Sequence, residues 1–275
     1  MFGQVKLDLI HAFYKVASVR PVSVSVASGQ ILLVTIAFNN PVVIAIQIIL
    51  LRRFLLDDYV LIVADNSSRP QARTLLGSVC EKLGTQYVSI PRFPLALGPS
   101  ESHAMALNWV NSNIFLPSKA AYFGFLDHDI YPFCKTSIMS FFNEFNAIGL
   151  KQERKNLWYL WPGFVFFNNL FLQSAKVDFR PDPKRALDTG GRLYFSHNYQ
   201  RRQNEILFLK EKYFYSDAKE KKPQISTYSL IEDWIHTRNG SYWTSCSPRE
   251  DAIIHFLSRM AKFPNLQNEV ARVLS

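Results

Sequence analysis

The stretch AAYFGFLDHDIYPF, residues 120–133, runs apolar up to Leu126 and then meets two carboxylates two positions apart, Asp127 and Asp129. The apolar run reads as a buried strand, and carboxylates hard against such a run need a reason. In a strand, residues i and i+2 point to the same side. At a strand end, where the chain turns off, such a pair can hold one hard divalent cation whose remaining sites take waters and substrate phosphates. The carboxyl edge of a sheet is also where open α/β folds bind ligands. The competing reading of these residues is a solvated turn after a strand, so the rest of the chain has to decide.

Upstream, QILLVTIAFNNPVVIAIQIILL, residues 30–51, approaches the roughly 20 apolar residues of a membrane span. Asn39-Asn40-Pro41 interrupts it, and Asn-Asn-Pro is a turn and helix-start signal with Pro just inside the new helix. The pattern therefore predicts a strand over 31–38 and a helix over 41–54. The apolar face of that helix, followed by Arg52-Arg53, also suits a membrane-surface patch. Next, YVLIVA at 59–64 reads as a second buried strand ending in the loop Asp65-Asn66-Ser67-Ser68. A helix over 70–84, a strand over 86–91 and a helix over 100–114, starting at Ser100 or Ser102, complete the approach to the acidic pair. Strands interleaved with helices in this way predict an α/β fold, a mostly parallel central sheet flanked by helices.

Downstream the pattern is less regular. NLWYLWPGFVFFNN, 156–169, reads as two short strands or one bent one, broken at Pro162-Gly163. Residues 179–200 open as a Pro- and charge-rich loop and pass through Asp188-Thr189-Gly190-Gly191, where a helix is expected to start. Residues 201–224, with KEKK at 219–222, read as a solvated loop or helix face. The chain closes with an amphipathic helix, REDAIIHFLSRMAKF, 249–263.

The 275 residues can bury a full core, as one large α/β domain or one domain with an appended segment. Aromatic residues reach 14% and charged residues 19%, a globular rather than a disordered composition. The net charge of +9 favours acidic partners such as nucleotide phosphates or anionic lipid headgroups. No nucleic-acid-binding motif accompanies it, so no nucleic acid is expected. Cys80, Cys134 and Cys246 are an odd set without metal-site spacing, which argues against a disulfide framework and a thiolate zinc site and fits a reducing cytosol. With no secretory signal near Lys6 and Lys15, the expected location is cytoplasmic, with membrane association on the cytoplasmic face as its variant.

Taken in order, VTIAFNNP (34–41), VADNSS (63–68), SESHAMALNW (100–109), FLDHDIYPF, WPGFVFFNN (161–169), LDTGG (187–191) and HTRNGSYW (236–243) resemble nucleotide-sugar glycosyltransferases of the GT-A fold, in the broad family 2-like group. The resemblance covers roughly residues 30–245. It implies a Rossmann-like single domain with an N-terminal segment at 1–29, a donor half at 30–135, an acceptor and catalytic half at 136–246 and a C-terminal helix at 247–275. Its activity would be metal-dependent, hexosyltransferase-like and inverting, moving sugar from a nucleoside-diphosphate donor of UDP or GDP type to a glycan or lipid-linked acceptor.

By the same resemblance, Asp127, Asp129 and His236 would hold Mn2+ or Mg2+. Ala37, Phe38, Asn39, Asp65, Asn66, His103, Asn108 and Asp127 would meet the donor, and Trp161, Gly163 and Phe164 the acceptor. Asp188, about 25 residues past Pro162-Gly163, has the family's usual spacing for the general base. Glu232-Asp233 imitates the family's Glu-Asp signature in letters but comes too late. The loop after the first strand is shorter and more apolar than the family's usual polar turn, which leaves the nucleobase open. A nucleotidyltransferase would use a similar sheet and metal, but FNNPVV lacks the Gly-rich phosphate loop. A phosphohydrolase or nuclease would need more acidic and His ligands clustered together. A basic peripheral membrane protein is the non-enzymatic alternative.

Overall fold

The computed structural model describes residues 8–9, 12–13, 22–92, 97–154, 156–173, 177–195, 201–215, 227–237 and 247–275. Cys246, Gly240-Ser241, Tyr242-Trp243 and the Lys-rich 219–222 lie outside them, as does most of the N-terminal segment.

The first half alternates strictly. Strand β1 (Ile31–Ala37) leads into helix α1 (Pro41–Phe54), β2 (Tyr59–Asp65) into α2 (Pro70–Lys82), and β3 (Gln86–Ser89) into α3 (Pro99–Val110), before β4 (Tyr122–Asp127). β1 is buried at every position. Leu33 and Ala37 join the core on the α1 side, and Leu32, Val34 and Ile36 join the core on the α3 side. A strand buried on both faces has no polar alternation, which is why the apolar runs in this half read as strands without a period-2 signal.

The second half contributes β5 (Ile130–Pro132), β6 (Ala147–Arg154), β7 (Leu157–Asn168), β8 (Ile206–Leu209), β9 (Glu211–Tyr215), β10 (Thr227–Ile231) and β11 (Trp234–His236), then helices α4 (Ser247–Met260) and α5 (Leu266–Leu274). Seven strands form one sheet in the order β3-β2-β1-β4-β7-β6-β8. β7 runs antiparallel to both neighbours while the other pairings are parallel. The α/β class with a mostly parallel central sheet flanked by helices is therefore the observed fold. A second, antiparallel sheet in the order β5-β11-β10-β9 stands beside it.

Helix α1 decides the membrane question raised by its sequence. Asn40 caps it by accepting the Val43 N–H at 3.2 Å, with Pro41 in the first turn. Residues 43–51 and Phe54 are all buried, so this is a core helix and the alternative of a membrane-surface patch on it finds no apolar face to use. Arg52 donates to the Leu83 carbonyl. The Arg53 guanidinium lies 4.1 Å from the Phe263 ring centroid, an intramolecular cation–π contact in place of a lipid headgroup. No helix among the described residues is long and apolar enough to cross a membrane.

Other elements differ from expectation for tertiary reasons. Residues 157–168 form one continuous strand. Gly149 pairs with Val165 and Lys151 with Leu160, so Trp161 to Phe164 stand opposite Leu150 alone, and Pro162-Gly163 marks a bulge. The polar stretch 201–224 contains β8 and β9, which are strands because β6 and β10 offer them edges. Asp188 to Gly191 opens only a short 3-10 turn, Gly191–Phe195. The C-terminal region holds two helices, and α5 buries Leu266, Val270 and Val273.

Candidate metal and donor site

β4 ends at Asp127, His128-Asp129 make a two-residue turn, and Ile130 opens β5 in the other sheet. The two carboxylates thus converge across a turn at the strand's end rather than along the pleat of a strand. The turn is held from three directions. Gln47 of α1, fully buried, donates Nε2 to the carbonyls of Asp127 at 2.7 Å and Ile130 at 3.0 Å. His128 accepts the Phe38 N–H on Nδ1 at 3.3 Å, tying the turn to the end of β1. Thr237 donates both its N–H and its hydroxyl to the Asp129 carbonyl, at 3.0 and 3.1 Å. Gln47 was invisible to sequence reasoning, since a single Gln in an apolar helix carries no spacing signal.

Asp127, Asp129 and His236 each offer a donor atom, and these atoms lie within 4.8 Å of one another. His236 reaches them because β11 pairs with β5, placing it opposite Ile130. His236 Nε2 is 3.5 Å from Asp129 Oδ1. His103, on the first turns of α3, places Nε2 3.4 Å from Asp127 Oδ1. Burial pushes the Asp127 carboxyl above its ordinary value, His103 draws it back, and Asp129 adds to the rise. Burial lowers the His236 ring, but the Asp129 carboxylate leads the charges that carry its pKa above the ordinary value overall. Two carboxylates and one imidazole whose donor atoms converge in this way form a set that could hold a divalent cation.

The remaining edge of His236 faces the second sheet. Its Nδ1 lies 3.5 Å from Glu211 Oε1 on β9 and, among the described residues, makes no hydrogen bond of good geometry. Glu211 also accepts from the hydroxyls of Ser229 and Tyr213. Burial works to raise Glu211, yet His236, Ser229 and Tyr213 hold it at about 2. The Trp161 ring lies against the imidazole, centroids 5.0 Å apart and tilted by 31°. A Cβ on Gly163 would fall 2.2 Å from that indole, so the bulge needs glycine there for Trp161 to fold back. Trp161, expected at the acceptor, is a neighbour of His236.

The donor-side loops are locked together. Asn39 adopts a left-handed backbone, φ 56°, which Asn tolerates better than most residues. Its N–H donates to Ser67 Oγ at 2.7 Å, its Nδ2 to Ser68 Oγ at 2.8 Å, and its Oδ1 accepts the N–H groups of Ser68 and Arg69, both at 3.0 Å. Asp65 is fully buried. Its carboxylate accepts the Ser67 N–H at 2.7 Å and the Tyr87 hydroxyl at 2.6 Å. Asn66 donates its N–H to the Ala37 carbonyl at 2.9 Å and its side-chain amide to the Ser102 hydroxyl at 2.9 Å. Residues 37–40, 65–69 and the start of α3 therefore form one hydrogen-bonded rim at the carboxyl edge of the sheet.

Asp188 joins the same rim. It is exposed, and its carboxylate accepts from the Ser100 hydroxyl and from the Thr189 N–H at 2.8 Å. Ser100 lies three residues before His103 on α3, one helical turn away, which brings Asp188 toward the face that carries the His103–Asp127 contact. Asn108 is elsewhere: its Oδ1 accepts the Phe179 N–H at 3.0 Å, a buried bond behind α3. Phe164 is buried, with its ring against Phe166 and Trp234. Glu232-Asp233 form the tight turn between β10 and β11, with Asp233 Oδ1 accepting from Cys134 Sγ at 3.2 Å.

No protein-family model matches the chain, and no curated protein matches it. Among solved structures, glucosyl-3-phosphoglycerate synthase from Mycobacterium tuberculosis, in complex with Mn2+, UDP and glucosyl-3-phosphoglycerate, matches 72% of this chain and 72% of its own at 15% identity and a TM-score of 0.41. The bifunctional glycosyltransferase WbbM matches 68% of this chain at 10% identity and a TM-score of 0.43. S. aureus TarS matches 66% at 14% identity and a TM-score of 0.42. The chain spans 40% of the WbbM chain and 35% of the TarS chain. These structural neighbours are glycosyltransferases of the GT-A type.

Proposed function

We propose that this protein is a metal-dependent glycosyltransferase that moves a sugar from a nucleoside-diphosphate donor to a glycan or lipid-linked acceptor, with inversion. The observation that carries the reading is the convergence of Asp127, Asp129 and His236 at the carboxyl edge of a mostly parallel sheet, beneath a rim built from the ends of β1 and β2 and the start of α3. Mn2+ or Mg2+ bound there would stabilise the charge developing on the departing diphosphate. The chain's own residues do the rest. Asp129 and His236, both buried, would ligate the ion together with the more exposed Asp127, which His103 braces. Ala37, Phe38, Asn39 and Asn66 shape the nucleoside side of the rim, with Asp65 buried beneath them as its support.

Asp188 is the general base. As the acceptor hydroxyl oxygen bonds to the anomeric carbon, its proton passes to the Asp188 carboxylate while the bond from that carbon to the diphosphate oxygen breaks. The Ser100 hydroxyl and Thr189 N–H keep the carboxylate oriented.

The experiment is a panel of nucleoside diphosphates, UDP and GDP first, read by thermal shift with and without Mn2+. A Mn2+-dependent rise in the wild type that Asp129→Ala loses while staying folded is the expected result. Unchanged metal-dependent binding in that variant overturns the reading. Asp188→Asn should bind donor normally and transfer sugar at least about a hundredfold more slowly.

A further inference from the structure

Of the groups around the acidic turn, Glu211 is the one that the proposed reaction leaves without a task. It is a carboxylate on an edge strand of the second sheet, turned inward, accepting from Tyr213 on its own strand and from Ser229 on the next. The strand pairing explains why it sits there: Ser229 faces His236 across β10 and β11, and Tyr213 across β10 and β9. Glu211 therefore reaches the imidazole from the side opposite the acidic turn. It lies 3.5 Å from Nδ1 while Asp129 lies 3.5 Å from Nε2.

The two nitrogens of an imidazole diverge, so an ion on Nε2 cannot also be held by Glu211. Among the described residues, the buried Nδ1 has no hydrogen bond in good geometry and one carboxylate, Glu211, within reach. A neutral histidine carries its proton on one nitrogen only, and a carboxylate accepts but does not donate. With Glu211 beside Nδ1, the proton belongs on Nδ1, and Nε2 keeps its lone pair toward Asp127 and Asp129. The Trp161 ring covers one face of the imidazole and opposes rotation out of this orientation.

We infer that Glu211 is a positioning residue for the metal site: it selects the tautomer in which His236 Nε2 can ligate a divalent cation, with Trp161 holding the ring plane. The inference rests on the proposed metal site and adds a chemical group from the second sheet to it. A carboxylate behind a ligating histidine typically contributes about 10- to 100-fold in metal affinity.

The test is Mn2+ alone, titrated into the full chain without nucleotide and read from the signal of the free ion by electron paramagnetic resonance. Asp129→Ala should abolish binding, and its failure to do so would overturn the metal site itself. Glu211→Gln keeps the side-chain shape but can present its amide N–H2 to Nδ1, so binding should weaken at least about tenfold. Binding within twofold of wild type, with Asp129→Ala still inactive, would overturn the role of Glu211 and leave the metal site standing. A second measurement needs no variant. Nitrogen NMR of the metal-free wild type, above the titration of the ring, should show the His236 proton on Nδ1; a proton on Nε2 would overturn the inference.

Discussion

The parallel half of the molecule, β1 to β4, and the half that follows it are built from the same kinds of residues but hold their shape by different means. In the first, strands are buried on both faces and each connection is a helix whose start is marked by proline. In the second, strands as short as three residues take their identity from a partner, as β5 and β11 do from each other. The contrast teaches that the platform of the site is encoded locally, while its completion by His236 and Glu211 is encoded by pairing.

The contrast can be broken most directly at Ile48, in the middle of α1 and 1% exposed. Ile48→Asp places an unpaired charge in the core and should abolish the cooperative unfolding transition. A soluble, folded variant would show that the first half is not the platform. Gly124→Ala probes the join between the halves, because the added Cβ would lie 2.2 Å from the Phe166 ring across β4 and β7. A loss of about 1–3 kcal/mol in denaturant unfolding is expected; a neutral result would mean that β7 packs against β4 more loosely than described.

A smaller effect is expected from Asp178, in the loop after β7. Burial tends to raise its carboxyl, but Arg180 and Arg192 hold it below the ordinary 3.8. The pairing therefore stabilises the fold above that pH, and its contribution fades as pH falls through the lower folded value. Asp178→Asn should cost about 1 kcal/mol near neutrality, and the gap to wild type should close in acid. A gap independent of pH would assign the effect to shape rather than charge. The smallest change is Glu232→Gly in the β10–β11 turn, where φ is 49°. Relief of the left-handed strain should raise stability by up to about 1 kcal/mol without changing sugar transfer. A loss of transfer would return the Glu232-Asp233 pair to the list of bases.

The legibility of the sequence follows the same division. Helix α1 occupies the predicted 41–54, because Asn40 and Pro41 write its start into the chain and the Arg pair its last turn. The acidic pair and His236 were nameable from motif order, and the structure brings their donor atoms together. Glu211 was not nameable: nothing within a basic, polar stretch distinguishes a glutamate facing inward until β10 supplies the register. Trp161 was expected at the acceptor by resemblance alone. The bulge lays it against the imidazole, a contact the sequence does not show, since a bulge depends on the partner strand's count of residues as much as on its own.

The acidic turn is also the hinge of the chain's passage from one sheet to the other, since β4 closes the first crossing and β5 opens the second within two residues. An ion gripped by Asp127 and Asp129 on one side and His236 on the other would act as a rivet through that seam. By linkage, whatever tightens the ion must also tighten the seating of the small sheet on the large one. Amide hydrogens of β10 and β11 would then exchange more slowly as the ion binds. The edge proposed to hold the ion would be the same edge that reports whether the two sheets are closed.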